Sequence, residues 1–216
     1  MSYNVLMKLN FPNKIPVFPL SGVIYFPKTN LPLNIFEKKY LDLVNDCMKN
    51  NKLMGMVQSK KIVGQIYKIG CLGRIEDFRK SDDGRILINL SGLIRFEIKN
   101  EIINKKSYRE FEVKYEKFML DTNDTIHALP DKKELDLFYI KIKNFFKKNG
   151  LLLNWKEFEN LEQEQQINTL AMIAPITNEE KQKLLETITI GEKIKMLSDI
   201  LEFYHYETNL NNITVQ

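Results

Sequence analysis

Residues 15–36 read IPVFPLSGVIYFPKTNLPLNIF, and this stretch decides how the rest of the chain is interpreted. Its two ends, residues 15–20 and 31–36, are rich in apolar residues and prolines, and we expect both to be extended. The prolines of the first piece cannot donate to a ladder, so an edge or irregular strand is predicted there. A ten-residue loop connects the two pieces.

Beyond this stretch, the pattern stays strand-like to about residue 120, with one amphipathic helix predicted over residues 37–51. The sequence SDDG at residues 81–84 predicts a hairpin turn, because Asp-Gly tolerates positive φ angles. Gly70 and Gly73 indicate a bend, and Ser91-Gly92 indicates a further turn. The remaining strands are predicted over residues 53–58, 67–78, 85–90, 95–103 and 110–118. These short strands predict a partly closed antiparallel barrel, which hides strand edges.

From residue 121 the pattern becomes helical, after a polar connecting segment over residues 121–131. A helix is predicted over residues 131–149, before Gly150, which suits a left-handed stop. Capping-box spacing then recurs three times, at Asn154 with Glu157, Thr177 with Glu180 and Thr189 with Glu192. The last helix has one apolar stripe, made of Ile190, Ile194, Leu197, Leu201 and Tyr204.

The predicted fold class is therefore α+β. A β-rich pseudo-barrel with one helix, residues 1–120, precedes a C-terminal helical bundle, residues 121–208. Residues 209–216 are polar and are expected to form a flexible tail.

The composition is that of an ordinary globular protein, with 44% apolar residues, 28% charged residues and a formal net charge of +4. This small, dispersed basic excess permits an acidic partner without predicting one. Cys47 and Cys71 are too few for a disulfide framework, so free thiols in a reducing compartment are expected. The sequence shows neither a signal peptide nor an apolar run of about 20 residues, so we expect a cytoplasmic protein without a membrane partner.

We find no sequence motif for catalysis or cofactor binding. The sequence contains no GxxxxGK[ST] phosphate loop, no GxSxG elbow and no HExxH zinc motif. Its two histidines, His127 and His205, are expected to be surface or helix-end residues rather than ligands. No catalytic residue, metal site or cofactor is therefore predicted. An unrecognised enzyme site stays open as an alternative, because folding can bring distant residues together.

The loop over residues 21–30 carries the most ambiguous side chains. Tyr25 and Phe26 either pack the loop onto the barrel or stand exposed as anchors for a peptide. Phe36 and Tyr40 face the same choice, and packing is favoured for all four. If the loop binds a peptide, an exposed apolar groove is expected beside it. The candidate peptide-binding residues are Tyr25, Phe26, Lys28 and Phe36.

Basic doublets are scattered along the chain. They indicate either a solvated surface or a phosphate-tracking face for RNA, and the first is favoured because no aromatic RNA-binding run accompanies them. The doublets are Lys60-Lys61, Lys105-Lys106, Lys132-Lys133 and Lys147-Lys148.

Taken in order, these pieces resemble the Lon protease N-terminal, substrate-binding domain family. The resemblance covers roughly residues 15–203, and it depends on the order and spacing of the pieces. In the first half the matching pieces are Ile15 to Leu20, Phe26-Pro27, Leu31 to Leu33, Ile35 to Glu37, Tyr40, Gly70, Arg74-Ile75, Asp83 to Arg85 and Gly92 to Arg95. In the second half they are Leu170-Ala171, Pro175-Ile176, Glu179 to Gln182 and Leu184 to Glu186.

The resemblance implies a PUA-like pseudo-barrel followed by a helical bundle, and a role in recognising unfolded or specific polypeptides. In full-length Lon proteases this domain precedes an ATPase module and a serine–lysine protease module, which this sequence lacks. We therefore expect a non-catalytic binding module, for example an adaptor in quality control that works with a protease or a chaperone. An RNA-binding PUA-like module is the alternative, although fold analogy is a weak argument for function.

The sequence departs from the family pattern at three positions. The family usually has glycine after the second Phe-Pro, where this chain has Lys28. A common histidine before Ile-Phe-Glu is Asn34, and a common proline after that glutamate is Lys38. The first change alters the loop predicted to contact a ligand, so the inherited specificity is in question while the fold is not.

Overall fold

The structure is a computed structural model that describes residues 11–122 and 130–213, with side chains up to Tyr206. Its strands are β1 (Lys14–Leu20), β2 (Asn30–Ile35), β3 (Leu53–Ser59), β4 (Ile66–Lys80), β5 (Ile86–Ile102) and β6 (Glu110–Lys114). Its helices are α1 (Lys38–Lys49), a 3-10 helix (Glu116–Thr122), α2 (Lys132–Lys148), α3 (Trp155–Phe158), α4 (Gln163–Ile173), α5 (Asn178–Glu186) and α6 (Ile190–Ile213). His127 and most of the predicted connecting segment lie outside the described residues.

The six strands form one sheet in the order β2-β5-β4-β3-β1-β6, and a further pairing of β5 with β6 closes five of them into a ring. β2 lies outside this ring, where it pairs with the first part of β5. The expectation of an all-antiparallel barrel is wrong at one pair, because β1 and β3 are parallel. The chain between them passes through β2 and α1, and such a long crossover permits parallel pairing.

β1 accommodates two prolines because its two ladders share no residue. Pro16 lies opposite Glu110 of β6, and Pro19 lies opposite Val57 of β3. With a ladder on one side only, a proline can be placed where its missing N–H is not needed. Each half of β1 therefore has the edge character predicted from the sequence, although the whole strand lies between β3 and β6.

β5 is one continuous strand of 17 residues, where two shorter strands are predicted from the sequence. Ser91 and Gly92, expected in a turn, lie inside it. Glycine is required at residue 92 for a different reason, since an added Cβ would lie 2.3 Å from the carbonyl oxygen of Phe26. The register of β4 against β5 shifts between Leu72 and Gly73, in agreement with the predicted bend.

The helix starts follow the predicted caps. Thr177 and Glu180 form a complete capping box at α5. Thr189 and Glu192 exchange the equivalent two hydrogen bonds, each 3.1 Å long, at the start of α6. Asn154 caps only the four-residue helix α3. The next helix, α4, has no capping side chain, so the capping pattern of the sequence does not indicate where it begins.

Two apolar clusters form the core. The larger one combines ring and helix side chains, such as Phe96 of β5 and Phe146 of α2. The smaller one lies between the sheet and α1 and includes Leu43 and Ile88. The α+β class is confirmed, and the ring and the helices share one core. The boundaries at residues 1–120 and 121–208 stay a prediction, as does the tail over residues 209–216, into which α6 extends as far as Ile213.

Gly92→Ala tests the close approach of β5 to the loop. The new methyl group would overlap the Phe26 carbonyl, and we expect the free energy of unfolding to fall by about 1–3 kcal/mol. Urea unfolding followed by the fluorescence of Trp155 measures this change. Ser91→Ala on the same strand is the control and should shift stability by less than about 0.5 kcal/mol. Equal stabilities of the two variants would show that the strand and the loop do not approach so closely.

Candidate functional site

The loop over residues 21–30 is packed into the protein. Tyr25 and Phe26 are 3% and 0% exposed, the first in the smaller cluster and the second in the larger. The structure therefore shows the packing alternative for both aromatic rings, and neither of them is exposed to solvent. A peptide-binding role for Tyr25 and Phe26 stays a prediction that requires this loop to open.

Lys28 holds the end of this loop in an uncommon backbone conformation. Its φ angle is +57°, its N–H donates to the Gly92 carbonyl over 2.9 Å, and the Gly92 N–H donates to Thr29 over 2.9 Å. Two residues facing one across an antiparallel pair form a β-bulge, and in the type whose first residue is left-handed that residue is usually glycine. The Lys28 side chain contributes an ion pair of 2.9 Å with Glu164 of α4. Where the resemblance implies glycine, Lys28 therefore adopts a less favourable backbone conformation and adds an ion pair with the helices.

Among the candidate residues, Phe36 is exposed to solvent, with 66% of its surface accessible. The packing favoured from the sequence is wrong for Phe36, whereas Tyr40 is half-buried and contacts Phe18 with ring centroids 4.2 Å apart. Phe36 directly follows β2, whose residues Leu31 and Leu33 are half-buried.

Other apolar residues lie close to Phe36 along β2. Pro32 is exposed, and Leu87 of β5, opposite Asn34, is 45% exposed. Strand alternation places Pro32, Asn34 and Phe36 on one face, with Leu87 beside them. We call the apolar side chains of both faces of this edge the β2 margin. Pro32, Phe36 and Leu87 lie on the exposed face, and Leu31 and Leu33 lie on the half-buried one.

A buried ion pair joins the ring to the helices, and it was not predicted from the sequence. The guanidinium of Arg95, on β5, lies 2.6 Å from a carboxylate oxygen of Asp121, and both side chains are 3% exposed. The Arg95 backbone N–H also donates to Asp121 over 2.9 Å. The guanidinium donates further to the carbonyls of Leu185, over 2.8 Å, and Thr187. Every charge in this group is therefore neutralised and hydrogen-bonded, which makes it a structural element rather than a reactive one.

A second buried cation fastens the loop. Lys193 of α6 donates to Asn168 of α4, and the Asn168 amide donates to the Pro27 carbonyl over 3.0 Å. The ammonium lies 5.0 Å from the centre of the Phe26 ring. Burial lowers the pKa of Lys193 to about 7, and the nearby Arg95 charge acts in the same direction.

A groove of about 790 Å³ lies between α2 and α6. Phe145, Leu201 and Tyr204 contribute apolar surface, while Lys141 and Glu202 form an ion pair across it. His205 lies beside it on α6 and is exposed, as expected of a surface residue.

The described part of the chain offers little for catalysis. No group of three or more His, Cys, Asp or Glu side chains could hold a metal ion within residues 11–122 and 130–213. Burial raises the pKa of Cys47 to about 12 and raises that of Cys71 as well, so neither free thiol is an activated nucleophile. None of the described helices is long and apolar enough to span a bilayer.

The basic doublets occupy separate places in the fold. Lys61 pairs with Glu179, and Lys106 pairs with Glu110. The other two doublets lie at opposite ends of α2, about 24 Å apart at 1.5 Å per residue. Two of the doublets therefore each include a lysine that is paired with a carboxylate, and the other two are separated along one helix.

Residues 14–202 match the family described as the ATP-dependent protease La (LON) substrate-binding domain. The chain is similar to Lon protease of Buchnera aphidicola subsp. Acyrthosiphon pisum, with 26% identity over 87% of this chain and 25% of the relative. Lon protease of Dictyoglomus thermophilum is 26% identical over 88% of this chain and 24% of the relative. The chain therefore spans about a quarter of these relatives, and their catalytic regions are not matched.

Two solved structures have a similar fold. A Lon N-terminal domain protein from Xanthomonas campestris has a TM-score of 0.65 at 22% identity, covering 86% of this chain and 97% of that one. The N-terminal domain of the Mycobacterium avium complex Lon protease has a TM-score of 0.60 at 15% identity, covering 88% and 98%. At such identities the likeness concerns the fold alone.

Lys28→Gly and Lys28→Ala separate backbone strain from the ion pair. Both variants lose the contact with Glu164, but only glycine adopts the left-handed conformation freely. We expect Lys28→Gly to be more stable than Lys28→Ala by about 1 kcal/mol in urea unfolding. A more stable alanine variant would show that residue 28 is not held at positive φ in solution.

Lys193 makes stability depend on pH. Its pKa is lower in the folded protein than the ordinary value of 10.5, so between pH 7 and 10.5 the unfolded chain binds more protons. Stability from this group therefore rises with pH across that window, by about 1–2 kcal/mol between pH 7 and 8.5. Urea unfolding of the native protein and Lys193→Met at both pH values measures it. The free energy of unfolding of the native protein minus that of Lys193→Met should show this rise, because contributions from other groups cancel in the difference. A difference that does not change with pH would contradict the lowered pKa.

Proposed function

The chain belongs to the LON substrate-binding domain family, and we propose that it binds unfolded polypeptide segments without cleaving them. The match over residues 14–202 supports substrate recognition. The relatives whose names carry the protease activity are about four times longer than the matched region. Both cysteines, Cys47 and Cys71, are buried free thiols, which suits a structural role for them.

The observation that carries the proposal is the exposed apolar β2 margin. Phe36 and Leu87 are exposed on one face of β2, whereas the half-buried Leu31 and Leu33 lie on the opposite face against the smaller cluster. Exposed aromatic residues next to partly buried aliphatic ones are typical anchors for a polypeptide partner. The groove between α2 and α6 is a weaker candidate, because an ion pair crosses it.

A role as an adaptor for a protease or a chaperone is the finer form of this proposal. It would require a second surface that contacts the partner machine while the β2 margin holds the substrate. We propose the cytoplasm as its location, because Cys47 and Cys71 are free, buried thiols.

Fluorescence anisotropy tests the proposal. The purified protein is titrated onto fluorescein-labelled α-lactalbumin that has been reduced and carbamidomethylated, so that it stays unfolded. Single-stranded RNA is the competitor, and the titration is repeated at low and high salt. Saturable binding that survives high salt and ignores RNA is expected. Binding displaced by RNA and lost in salt would instead support the RNA-binding alternative.

Phe36→Ala should weaken this binding at least about fivefold, because the variant removes the exposed aromatic anchor. Leu152→Ala is the matched control, since Leu152 is 99% exposed between α2 and α3, outside the β2 margin. The control should bind within about twofold of the native protein. If both variants bind like the native protein, the β2 margin is not the binding surface.

A further inference from the structure

The outer edge of β2 has no strand partner among the described residues, because β2 pairs with β5 alone. Two hydrogen bonds determine which of its backbone groups point outward. At one end, the Gly92 N–H donates to Thr29, so the Thr29 carbonyl faces β5. At the other end, the Ser81 N–H donates to the Arg85 carbonyl. The backbone groups of Arg85, in the hairpin between β4 and β5, therefore point toward β4.

Both hydrogen bonds indicate the same set of β2 residues whose backbone groups point toward β5. Backbone groups of successive strand residues point to opposite sides. Counting from Thr29, the residues of β2 bonded to β5 are Leu31, Leu33 and Ile35. Counting from Arg85, the residues of β5 that face β2 are Ile86, Ile88 and Leu90, and these are opposite the same three in the register. The outward backbone groups of β2 therefore belong to Asn30, Pro32 and Asn34.

Pro32 lies at a position where the missing N–H removes no hydrogen bond between β2 and β5. Its missing N–H would have pointed outward, so the edge keeps two donors, Asn30 and Asn34, and three acceptors. A proline in the middle of an edge strand is a known protection against pairing with another sheet. The outer edge of β2 can therefore still pair with another strand, although it lacks one hydrogen-bond donor at its centre.

We propose that β2 binds an extended segment of an unfolded polypeptide as an added strand, through the outward backbone groups of Asn30, Pro32 and Asn34. The inference rests on the proposed function and specifies its mode of binding. Unpaired N–H and C=O groups in a strand register are complementary to another extended backbone.

The outward backbone N–H and C=O groups of β2 are suited to binding a polypeptide that is unfolded. Backbone hydrogen bonds are available in any sequence, and a folded protein has already used most of its own. The side chains of an added strand would alternate between the two faces of β2. One set would lie beside Leu31 and Leu33, and the other beside Phe36, so apolar segments would be preferred without one defined sequence.

Four proteins test this mode of binding with the same unfolded α-lactalbumin probe. Pro32→Ala restores the missing outward donor and should bind about three- to tenfold more tightly. Asn34→Pro removes an outward donor without breaking the ladder to β5, and should bind about three- to tenfold more weakly. Asn34→Ala loses the same side chain but keeps its N–H, and should bind like the native protein. Circular dichroism and thermal unfolding of each variant confirm that the fold is kept.

The outcomes separate this inference from the proposed function. If the native protein binds and Phe36→Ala weakens it, but Pro32→Ala and Asn34→Pro bind like Asn34→Ala, then substrate recognition stands and strand addition is overturned. If the native protein does not bind the probe, the proposed function itself fails. Sedimentation velocity of Pro32→Ala checks for a second copy at the edge, and dimers without tighter probe binding would also overturn the inference.

Discussion

The buried ion pair of Arg95 and Asp121 joins the ring of strands to the C-terminal helices. A charged side chain in a core is costly unless it is paired and hydrogen-bonded, and removing one partner typically costs about 3–5 kcal/mol. Arg95 meets that requirement with groups from three places: the 3-10 helix, the end of α5 and the turn before α6. The ring and the helices are therefore held in one relative arrangement, which also fixes the loop between β1 and β2 against α4 and α6.

Most of the fold could be predicted from local patterns, and the failures have a common cause. Strand alternation, the Asp-Gly turn and the capping boxes depend on neighbours in sequence, and they placed most elements correctly. The local pattern predicts a turn at Gly92, whereas glycine is required there by Phe26, 66 residues earlier, and the pattern does not indicate α4 because no capping side chain marks its start. Arg95, within an apolar run of β5, was a usable signal of a buried charge, but its partner Asp121 could not be identified from spacing.

The candidate site shows the same limit. The sequence predicts Tyr25, Phe26, Lys28 and Phe36 as candidate peptide-binding residues, in or close to one short loop. The structure separates them, since Tyr25 and Phe26 are core residues, Lys28 completes a bulge, and Phe36 alone is largely exposed. Exposure is decided by which elements cover a residue, and those elements come from all along the chain. The direction of the backbone groups on β2 likewise follows from bonds made at both of its ends.

The partners of Arg95 also have a consequence for the order in which the protein can assemble during synthesis. β1 gains its second neighbour only when β6, about 100 residues later, has been made, and Arg95 meets the carbonyl of Leu185 only 90 residues after itself. Contacts so distant in sequence form slowly, because long loops must close first. The nascent N-terminal part therefore leaves the ribosome with an incomplete ring. Until the C-terminal helices are made, it exposes apolar surface, as do the unfolded chains that the protein is proposed to bind.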